Sequence, residues 1–352
     1  MFQGLSDFRA RLWQRQRDIP EVSAAEIEAE SAFLADAQEK LDVLEELRLE
    51  KLDSYRFRKM VGLPAATIVT PVLAFGDYLL TLFHRVDHND GSSAGFAFLF
   101  LFLSFLYWWV TKPKREYAKV YKNWILPDLA KLFGNFSYDA RGAIPLHVIQ
   151  PSKILPRHDL YESEDYFEGT YKDVHIQFSE IDFQQERRSK NGKHYVSVFK
   201  GLAVLLDMKR KRFYGHTILD YNRSKMSEWF KEKSMKLKRA NLVDPEFEKI
   251  FDVYTDDQVE ARYLVDPVMM ERLTRMYNEY DGNKMAAAFY DSKMLILISS
   301  PYNYFEPADL EIPATDPRSI LQMKKEIGEI LSIIDRLDLY DPNKVHEMAQ
   351  AQ

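Results

Sequence analysis

The sequence predicts a cytoplasmic α+β domain tethered to a membrane by a two-helix transmembrane hairpin. Two long apolar segments, at 61–83 and 94–110, lie in the first third of the chain, and basic residues flank the pair. After residue 160 apolar and polar residues alternate, as they do in strands with one buried face. The order of strands and helices there is that of a pleckstrin-homology-like barrel with a helical insertion.

The composition is that of a globular protein, and the mean hydropathy of the whole chain does not reveal its apolar segments. The chain has 352 residues, a formal charge of −6, 46% hydrophobic residues and 29% charged residues, which is typical of one or two folded domains. It has no cysteine, which excludes thiolate catalysis, disulfides and cysteine-bound zinc. The mean hydropathy of −0.37 conceals where the apolar residues are concentrated.

The second apolar segment has the stronger character of a membrane span. Residues 94–110 contain no charge and one polar side chain, Ser104. With its neighbours the segment reaches about 20 residues, or roughly 30 Å of helix, which is the thickness of a bilayer core. Trp108 and Trp109 immediately precede Lys112, as aromatic belts precede a basic cytoplasmic edge.

The first apolar segment, 61–83, is long enough to cross but contains Pro64, Pro71 and Asp77. Neighbouring helices can satisfy the carbonyls that prolines leave unbonded. Asp77 is six residues from the end of the segment, which favours a position at the membrane interface. The alternative is that Asp77 is an intramembrane ion or proton site of a small channel or transporter component.

The distribution of charge predicts the orientation. Residues 48–59 and 112–122 each contain five Lys or Arg, whereas the loop at 84–93 has a single fixed cation, Arg85. By the positive-inside rule, both termini are cytoplasmic and the short loop faces the outside or periplasm. The first 13 residues have no apolar core or cleavage site of a signal peptide, so we expect the hairpin to be retained.

The predicted layout has five parts. They are a cytoplasmic amphipathic helical segment (1–60), the hairpin (61–111), a juxtamembrane connector (112–160), the α+β domain (161–340) and a tail (341–352). Ser23 and Glu26 form a capping-box pattern at the start of the first helix. Its apolar face either packs on the chain's own domain, which we favour, or mediates dimerisation.

Within the α+β domain, apolar alternation and turn residues predict six strands. They are expected near 174–183, 195–206, 213–219, 247–254, 285–290 and 294–299. Residues 255–277 are predicted to be helical, and residues 317–339 form the terminal amphipathic helix.

Several phrases of the sequence resemble a bacterial membrane-protein family catalogued as domain of unknown function 3137. They are FEGTYKDVHIQFSEIDF (167–183), VFKGLAVLLDMKRKRFYGHTIL (198–219), PEFEKIFDVYTDDQVEARYLVDPVMMERL (245–273) and PYNYFEP (301–307). The resemblance implies the hairpin layout and covers about residues 55–340. It implies no catalytic residue, and it implies at most an association with a LemA-type membrane protein.

The sequence contains none of the common catalytic motifs. Phosphate-binding loops, nucleophile elbows and HExxH zinc motifs are absent, so no catalytic residue is assigned and we expect no cofactor. His84 and His88, with nearby Asp87 and Asp90, could ligate a metal, but the loop is more simply a polar turn, and we expect no metal site.

An acidic stretch at 244–260 offers the alternative of a membrane-bound enzyme. Its acidic residues are Asp244, Glu246, Glu248, Asp252, Asp256, Asp257 and Glu260. Paired carboxylates could perform acid–base chemistry or bind a cation. The aromatic residues between them instead favour an ordinary strand and helix with a solvated acidic face.

A basic stretch at 209–239 is the best candidate for a lipid contact, because it has 11 Lys or Arg against three acids. Each cation near an anionic leaflet contributes ~1 kcal/mol. The alternative is a solvated helix packed on the sheet. The candidate residues for membrane-surface binding are Lys225, Trp229, Phe230, Lys231, Lys233, Lys236, Lys238 and Arg239.

The function expected from the sequence is an inner-membrane-anchored interaction or lipid-surface module without catalytic activity. Expected partners are membrane lipids, a LemA-type membrane protein or a second copy of the chain. Nucleic acid is not expected, because the chain is acidic overall and has no nucleic-acid-binding motif.

Overall fold

The computed structural model describes residues 24–84, 94–189, 192–208, 213–221, 237–240, 242, 244–279, 284–301 and 303–339, and of these it leaves the side chains at 24–26, 73–84, 94–97, 189 and 279 undescribed. The chain divides into two compact units. Unit 1 contains residues 1–124 and 307–322, and unit 2 contains residues 125–306 and 323–352.

Unit 1 is helical. It contains α1 (Ala24–Ala29), α2 (Ser31–His84) and the larger part of α3 (Ala94–Leu132). Ala37, Leu41 and Leu44 of α2 are buried, and their spacing of four and three residues places them on one face of the helix. The two helices approach closely at Gly62, where an added Cβ would lie 3.0 Å from Val110.

A buried ion pair holds the 307–322 segment within unit 1. Arg48 is 5% exposed and donates to both oxygens of Glu45, at 2.8 and 2.6 Å, and to the carbonyl of Leu310. Glu45 in turn accepts the main-chain N–H of Ala314 at 2.6 Å. The Arg48 guanidinium holds the pKa of Glu45 below its usual value.

The predicted transmembrane hairpin is contradicted by the structure. Among the described residues, no helix offers a stretch that is both long and apolar enough to cross a membrane. The described side chains of α3 begin at Phe98, and the apolar run from 98 to 110 gives about 20 Å of helix against the ~30 Å that a bilayer core requires. In α2 the described side chains end at Val72, so Asp77 lies outside them.

Unit 2 is built on a large antiparallel sheet. Its strands are β1 (Phe136–Asp139), β2 (Leu160–Tyr171), β3 (Val174–Ser189), β4 (Gly192–Asp207), β5 (Thr217–Tyr221), β6 (Lys238–Arg239), β7 (Phe251–Thr255), β8 (Met285–Tyr290) and β9 (Lys293–Ser299). Within the described part of the chain their order is β1-β2-β3-β4-β9-β8-β5-β7-β6. This nine-stranded sheet replaces the pleckstrin-homology-like arrangement that the sequence predicts.

Helices connect and cover the strands. They are α4 (Leu146–Ile149), followed by a 3₁₀ turn (Gln150–Ser152), α5 (Pro245–Ile250), α6 (Gln258–Leu264), α7 (Pro267–Glu279) and α8 (Pro317–Leu337). Near its end α8 is bonded to the β2–β3 turn, because Asp335 accepts from Lys172 at 2.7 Å and from the Tyr171 hydroxyl at 3.2 Å.

The centre of the sheet is buried on both faces. One face carries a cluster of aromatic rings, in which Phe167 lies 4.7 Å from Phe178 and 5.0 Å from Phe305. The other face packs Leu205 and Leu297 against apolar residues of the 144–155 segment. Two covered faces explain the near-continuous apolar sequence of residues 201–206 of β4 and of β8 and β9.

Candidate functional site

Unit 1 has a broad apolar surface on α2 and α3, here called the apolar helical surface. Its members are large hydrophobic side chains that are 43–70% exposed: Phe57, Met60, Val61, Leu63, Ile68, Val72, Phe98, Phe100, Leu101 and Phe105. Ten large apolar side chains exposed on two adjacent helices indicate an interaction surface rather than an ordinary solvated helix face.

Cations and aromatic rings border the apolar helical surface, and we call this border the basic–aromatic belt. The belt comprises Tyr55, Arg58, Lys59, Trp108, Trp109, Lys112, Lys114 and Arg115. The Arg58 guanidinium lies 5.3 Å from the centre of the Trp109 ring, and the Lys114 ammonium lies 4.6 Å from that of Tyr55. Lys112 and Arg115 lie 5.8 and 5.9 Å from the Trp108 ring. Such cation–π contacts fix the rings and the charges at one level along the helices.

Hydrogen bonds and ion pairs reinforce the belt. Arg58 donates to the carbonyl of Trp109 at 2.8 Å, and Arg115 donates to that of Trp108 at 2.9 Å. Lys114 pairs with Asp309 at 2.6 Å. Burial is the largest single influence on the pKa of Lys114 and lowers it, but the bond to Asp309, the charge of Asp309 and the interaction with Tyr55 together outweigh burial and raise the pKa. The belt is therefore ordered and positively charged at neutral pH.

Most of the basic stretch proposed as a lipid contact falls outside the described residues. Lys225, Trp229, Phe230, Lys231, Lys233 and Lys236 lie there. Lys238 and Arg239 form β6, which pairs with Thr255 and Tyr254 of β7. Arg239 contacts Asp252 at 2.8 Å, so one charge of the stretch is used within the fold.

The acidic stretch is used largely to cap main-chain N–H groups. Glu260 accepts the N–H groups of Tyr214 and Gly215 at 2.9 and 2.6 Å. Asp256 accepts the N–H of His216 at 2.6 Å. The two carboxylates thereby fix the turn that leads into β5, which is a structural role.

Two further acids begin helices. Asp257 accepts the N–H groups of Val259 and Glu260 at the start of α6, as an N-cap does. Asp244 does the same for α5, where Pro245 occupies the first turn. The capping explains why residues 245–250 are helical, although the sequence analysis expected a strand from residue 247.

The remaining carboxylate pair of interest is Asp220 and Asp252, which are direct cross-strand partners on β5 and β7. Asp220 is 2% exposed, and its Oδ1 accepts no hydrogen bond from a described residue. Burial, and then the charge of Asp252, raise the pKa of Asp220 to about 7.

The ionisable groups singled out in the first apolar segment and its loop lie outside the described residues. They are the side chains of Asp77 and His84 and those of residues 85–93, which include His88. Within the described ranges, no three His, Asp or Glu side chains are arranged to hold a metal ion.

Unit 2 contains an open pocket of about 430 Å³ that the sequence analysis did not anticipate. Its polar lining comes from four strands. Tyr166 and Glu168 are on β2, His175 and Gln177 on β3, Asp207 on β4, and Lys293 on β9. Its apolar lining is made by Ala143, Pro145, Val148 and Leu205.

Sheet register brings these polar groups together. Glu168 is the cross-strand partner of Gln177, and Asp207 is that of Lys293. Glu168 accepts from Gln177 at 2.9 Å and from the Tyr166 hydroxyl at 2.9 Å, and it lies 3.3 Å from His175 Nε2. Burial, followed by the bond to Glu168, raises the pKa of Tyr166 well above its ordinary value. The Glu168 carboxylate is therefore held in place by its neighbours.

One local pattern in the sequence predicts part of this pocket. His175 and Gln177 alternate with buried Val174, Ile176 and Phe178, so both polar side chains had to share a face of β3. The partners on β2, β4 and β9 depend on register between distant segments, which no local pattern specifies.

Comparison with known proteins identifies one family. Residues 197–339 match the family model described as Protein of unknown function (DUF3137), which confirms the resemblance to domain of unknown function 3137. No curated protein and no solved structure matches the chain.

Proposed function

We propose that this chain, whose residues 197–339 match a family of unknown function, is a non-catalytic interaction module that binds the surface of an anionic lipid bilayer. The observation that carries the proposal is the apolar helical surface with the basic–aromatic belt at its border.

The belt favours a bilayer over a soluble protein partner. Tryptophan and tyrosine concentrate at the level of lipid headgroups, where the ring meets hydrocarbon and its polar edge meets water. Trp108 has the surroundings of such a residue. Its side chain is 51% exposed, and the cationic groups of Lys112 and Arg115 lie over its ring. A cation at this level contributes ~1 kcal/mol beside anionic lipid, and each apolar side chain that leaves water adds to binding.

The acidic residues do not favour an enzyme. In the described part of the chain, Asp256, Asp257 and Glu260 accept main-chain N–H groups, and Asp252 contacts Arg239. Carboxylates engaged in this way orient turns and helix ends rather than a substrate.

Vesicle flotation of the full chain tests the proposal. Wild type should float with phosphatidylcholine vesicles that contain phosphatidylglycerol, and less with phosphatidylcholine alone or at high salt. Changing Phe100 and Phe105 to Glu should abolish flotation, because two charges would enter the apolar contact. A matched control, Tyr214→Glu with Val259→Glu, adds the same charge at sites that are 93% and 77% exposed in unit 2 and should float as wild type does.

Two results would overturn the proposal. Wild type could remain at the bottom of the gradient with both kinds of vesicle. The second result is that neither wild type nor the Phe100 and Phe105 variant floats, while wild type is an oligomer and the variant is a monomer. That result would assign the apolar helical surface to contact with a second copy of the chain. Association with a LemA-type membrane protein is a separate prediction of the family resemblance, and crosslinking in native membranes tests it.

A further inference from the structure

We propose that the pocket of unit 2 binds a small organic cation, specifically a primary alkylammonium group with a short apolar chain. The proposal rests on the chemistry of the pocket lining and does not depend on lipid binding by unit 1.

The pocket has the dimensions of a small-molecule site. Its volume of about 430 Å³ lies in the range of ~300–1,000 Å³ that is usual for ligand pockets. One side is apolar, with Pro145 and Val148 from the 143–148 segment and Leu205 from the sheet. The other side is polar and charged. A ligand with one charged end and an apolar remainder therefore matches both sides.

The charges of the pocket favour a cation. Glu168 and Asp207 contribute two negative charges against the one positive charge of Lys293, so the acidic and basic side chains of the lining are net negative. In addition, Gln177 Oε1 is buried and accepts no hydrogen bond from a described residue. An unpartnered carbonyl oxygen adds to the negative potential, because the oxygen is the negative end of the C=O dipole.

Nδ1 of His175 and Oδ2 of Asp207 lie close enough together for one donor group beside them to reach both. The His175 tautomer with its proton on Nε2 faces Glu168 at 3.3 Å. Its Nδ1 is then a lone-pair acceptor, and it lies 3.9 Å from Asp207 Oδ2, beyond direct hydrogen-bonding distance. An ammonium group has three N–H donors and can reach both atoms, which a carboxylate or an alcohol cannot do as well.

The position of the Glu168 carboxylate is fixed before a ligand arrives. Three neighbours, Tyr166, His175 and Gln177, already surround the Glu168 carboxylate. A charge held by its neighbours loses little freedom when a ligand arrives, so more of the interaction energy is available for affinity.

Titration calorimetry of the full chain tests the proposal, with butylammonium chloride as the probe and 1-butanol and sodium butyrate as matched ligands. Butylammonium should bind, and both matched ligands should bind at least about tenfold more weakly, because they lack the charge or reverse it. Equal binding of butanol, tighter binding of butyrate or no heat with butylammonium would each overturn the proposal.

Variants give two opposite expectations. Asp207→Asn should weaken butylammonium binding by about tenfold or more, whereas Glu186→Gln, a carboxylate on the same sheet but outside the pocket, should leave it unchanged. Lys293→Met should strengthen binding, since it removes the positive charge of the lining. A general loss of folding would weaken butylammonium binding in every variant. Tighter binding by Lys293→Met is therefore the result that distinguishes an effect on ligand recognition from an effect on folding. Unchanged or weaker binding by Lys293→Met would contradict the inference.

Discussion

Asp220 and Asp252 face one another as cross-strand partners on β5 and β7, and the two carboxylates have different surroundings. Asp252 contacts Arg239 at 2.8 Å, whereas Asp220 is 2% exposed and has one oxygen without a described donor. Two like charges placed directly opposite on neighbouring strands destabilise the sheet. The fold therefore favours the protonated form of Asp220.

The stability of the chain should fall between pH 4 and pH 8 because of Asp220. The pKa of Asp220 is about 7 in the folded chain, compared with an ordinary value of 3.8. Between these pH values the folded state therefore binds more protons than the unfolded state. Stability from this group is complete below about pH 4 and is lost as the pH rises through 7, at a cost on the order of 3–4 kcal/mol.

Urea unfolding at pH 5 and pH 8 checks this expectation. Asp220→Asn should raise the unfolding midpoint at pH 8 more than at pH 5 and reduce the difference between the two pH values. Glu329→Gln, a charge-matched change at an exposed position of α8, serves as the control. An equal effect of Asp220→Asn at both pH values would mean that Asp220 is not the responsible group.

Arg48 should be required for the 307–322 segment to stay on α2. Arg48→Met would leave the Leu310 carbonyl and the partly buried Glu45 carboxylate without their donor, at a cost on the order of 2–4 kcal/mol. Arg48→Lys should recover only part of this, because an ammonium cannot make the bidentate contact of a guanidinium.

Hydrogen exchange measured by mass spectrometry provides the readout for Arg48. Exchange should increase in peptides from 307–322 and remain as in wild type in peptides from β3 and β4. If exchange in 307–322 is unchanged in Arg48→Met, the ion pair does not hold the segment.

Gly201 should tolerate no side chain. It lies on β4 opposite Ser299 with φ of 156°, and an added Cβ would be 2.0 Å from the carbonyl oxygen of Ile298. Because that atom belongs to the main chain of β9, Gly201→Ala should destabilise the sheet by about 3 kcal/mol or more.

Gly328 is the matched control for this substitution. It lies within α8, where the nearest atom to an added Cβ is 3.7 Å away, on Phe133. Gly328→Ala should therefore stabilise the chain by about 0.5–1 kcal/mol, since alanine is the better helix former. Thermal unfolding of both variants compares them, and a Gly201→Ala protein as stable as wild type would contradict the register of β4 and β9.

The strands of unit 2 illustrate what a single sequence can predict. Val174, Ile176 and Phe178 alternate, so β3 could be placed from the sequence. Strand β2 was missed because it is rich in charged residues and relies on register with β3 for its position. The helix at 245–250 is not predicted, because the strand expected at 247–254 is extended back over its last residues, whereas the cap at Asp244 starts a helix there.

The candidate sites show a similar limit. The aromatic and basic residues of the belt were visible at 107–115, but their partners Tyr55 and Arg58 on α2 required the helix pairing. The pocket required the register of four strands. Local periodicity carries neither kind of information.

Lipid quenching of a single tryptophan tests the central proposal most directly. One variant of the full chain retains only Trp108, which lies in the belt, and a second variant retains only Trp124. Trp124 is 43% exposed and lies about 24 Å further along α3, at ~1.5 Å per residue. The other tryptophans are changed to Phe. Vesicles of anionic lipid with brominated chains should quench Trp108 at least twofold more strongly than Trp124. Equal quenching of the two residues, or none of Trp108, would contradict binding of the bilayer through the apolar helical surface and its belt.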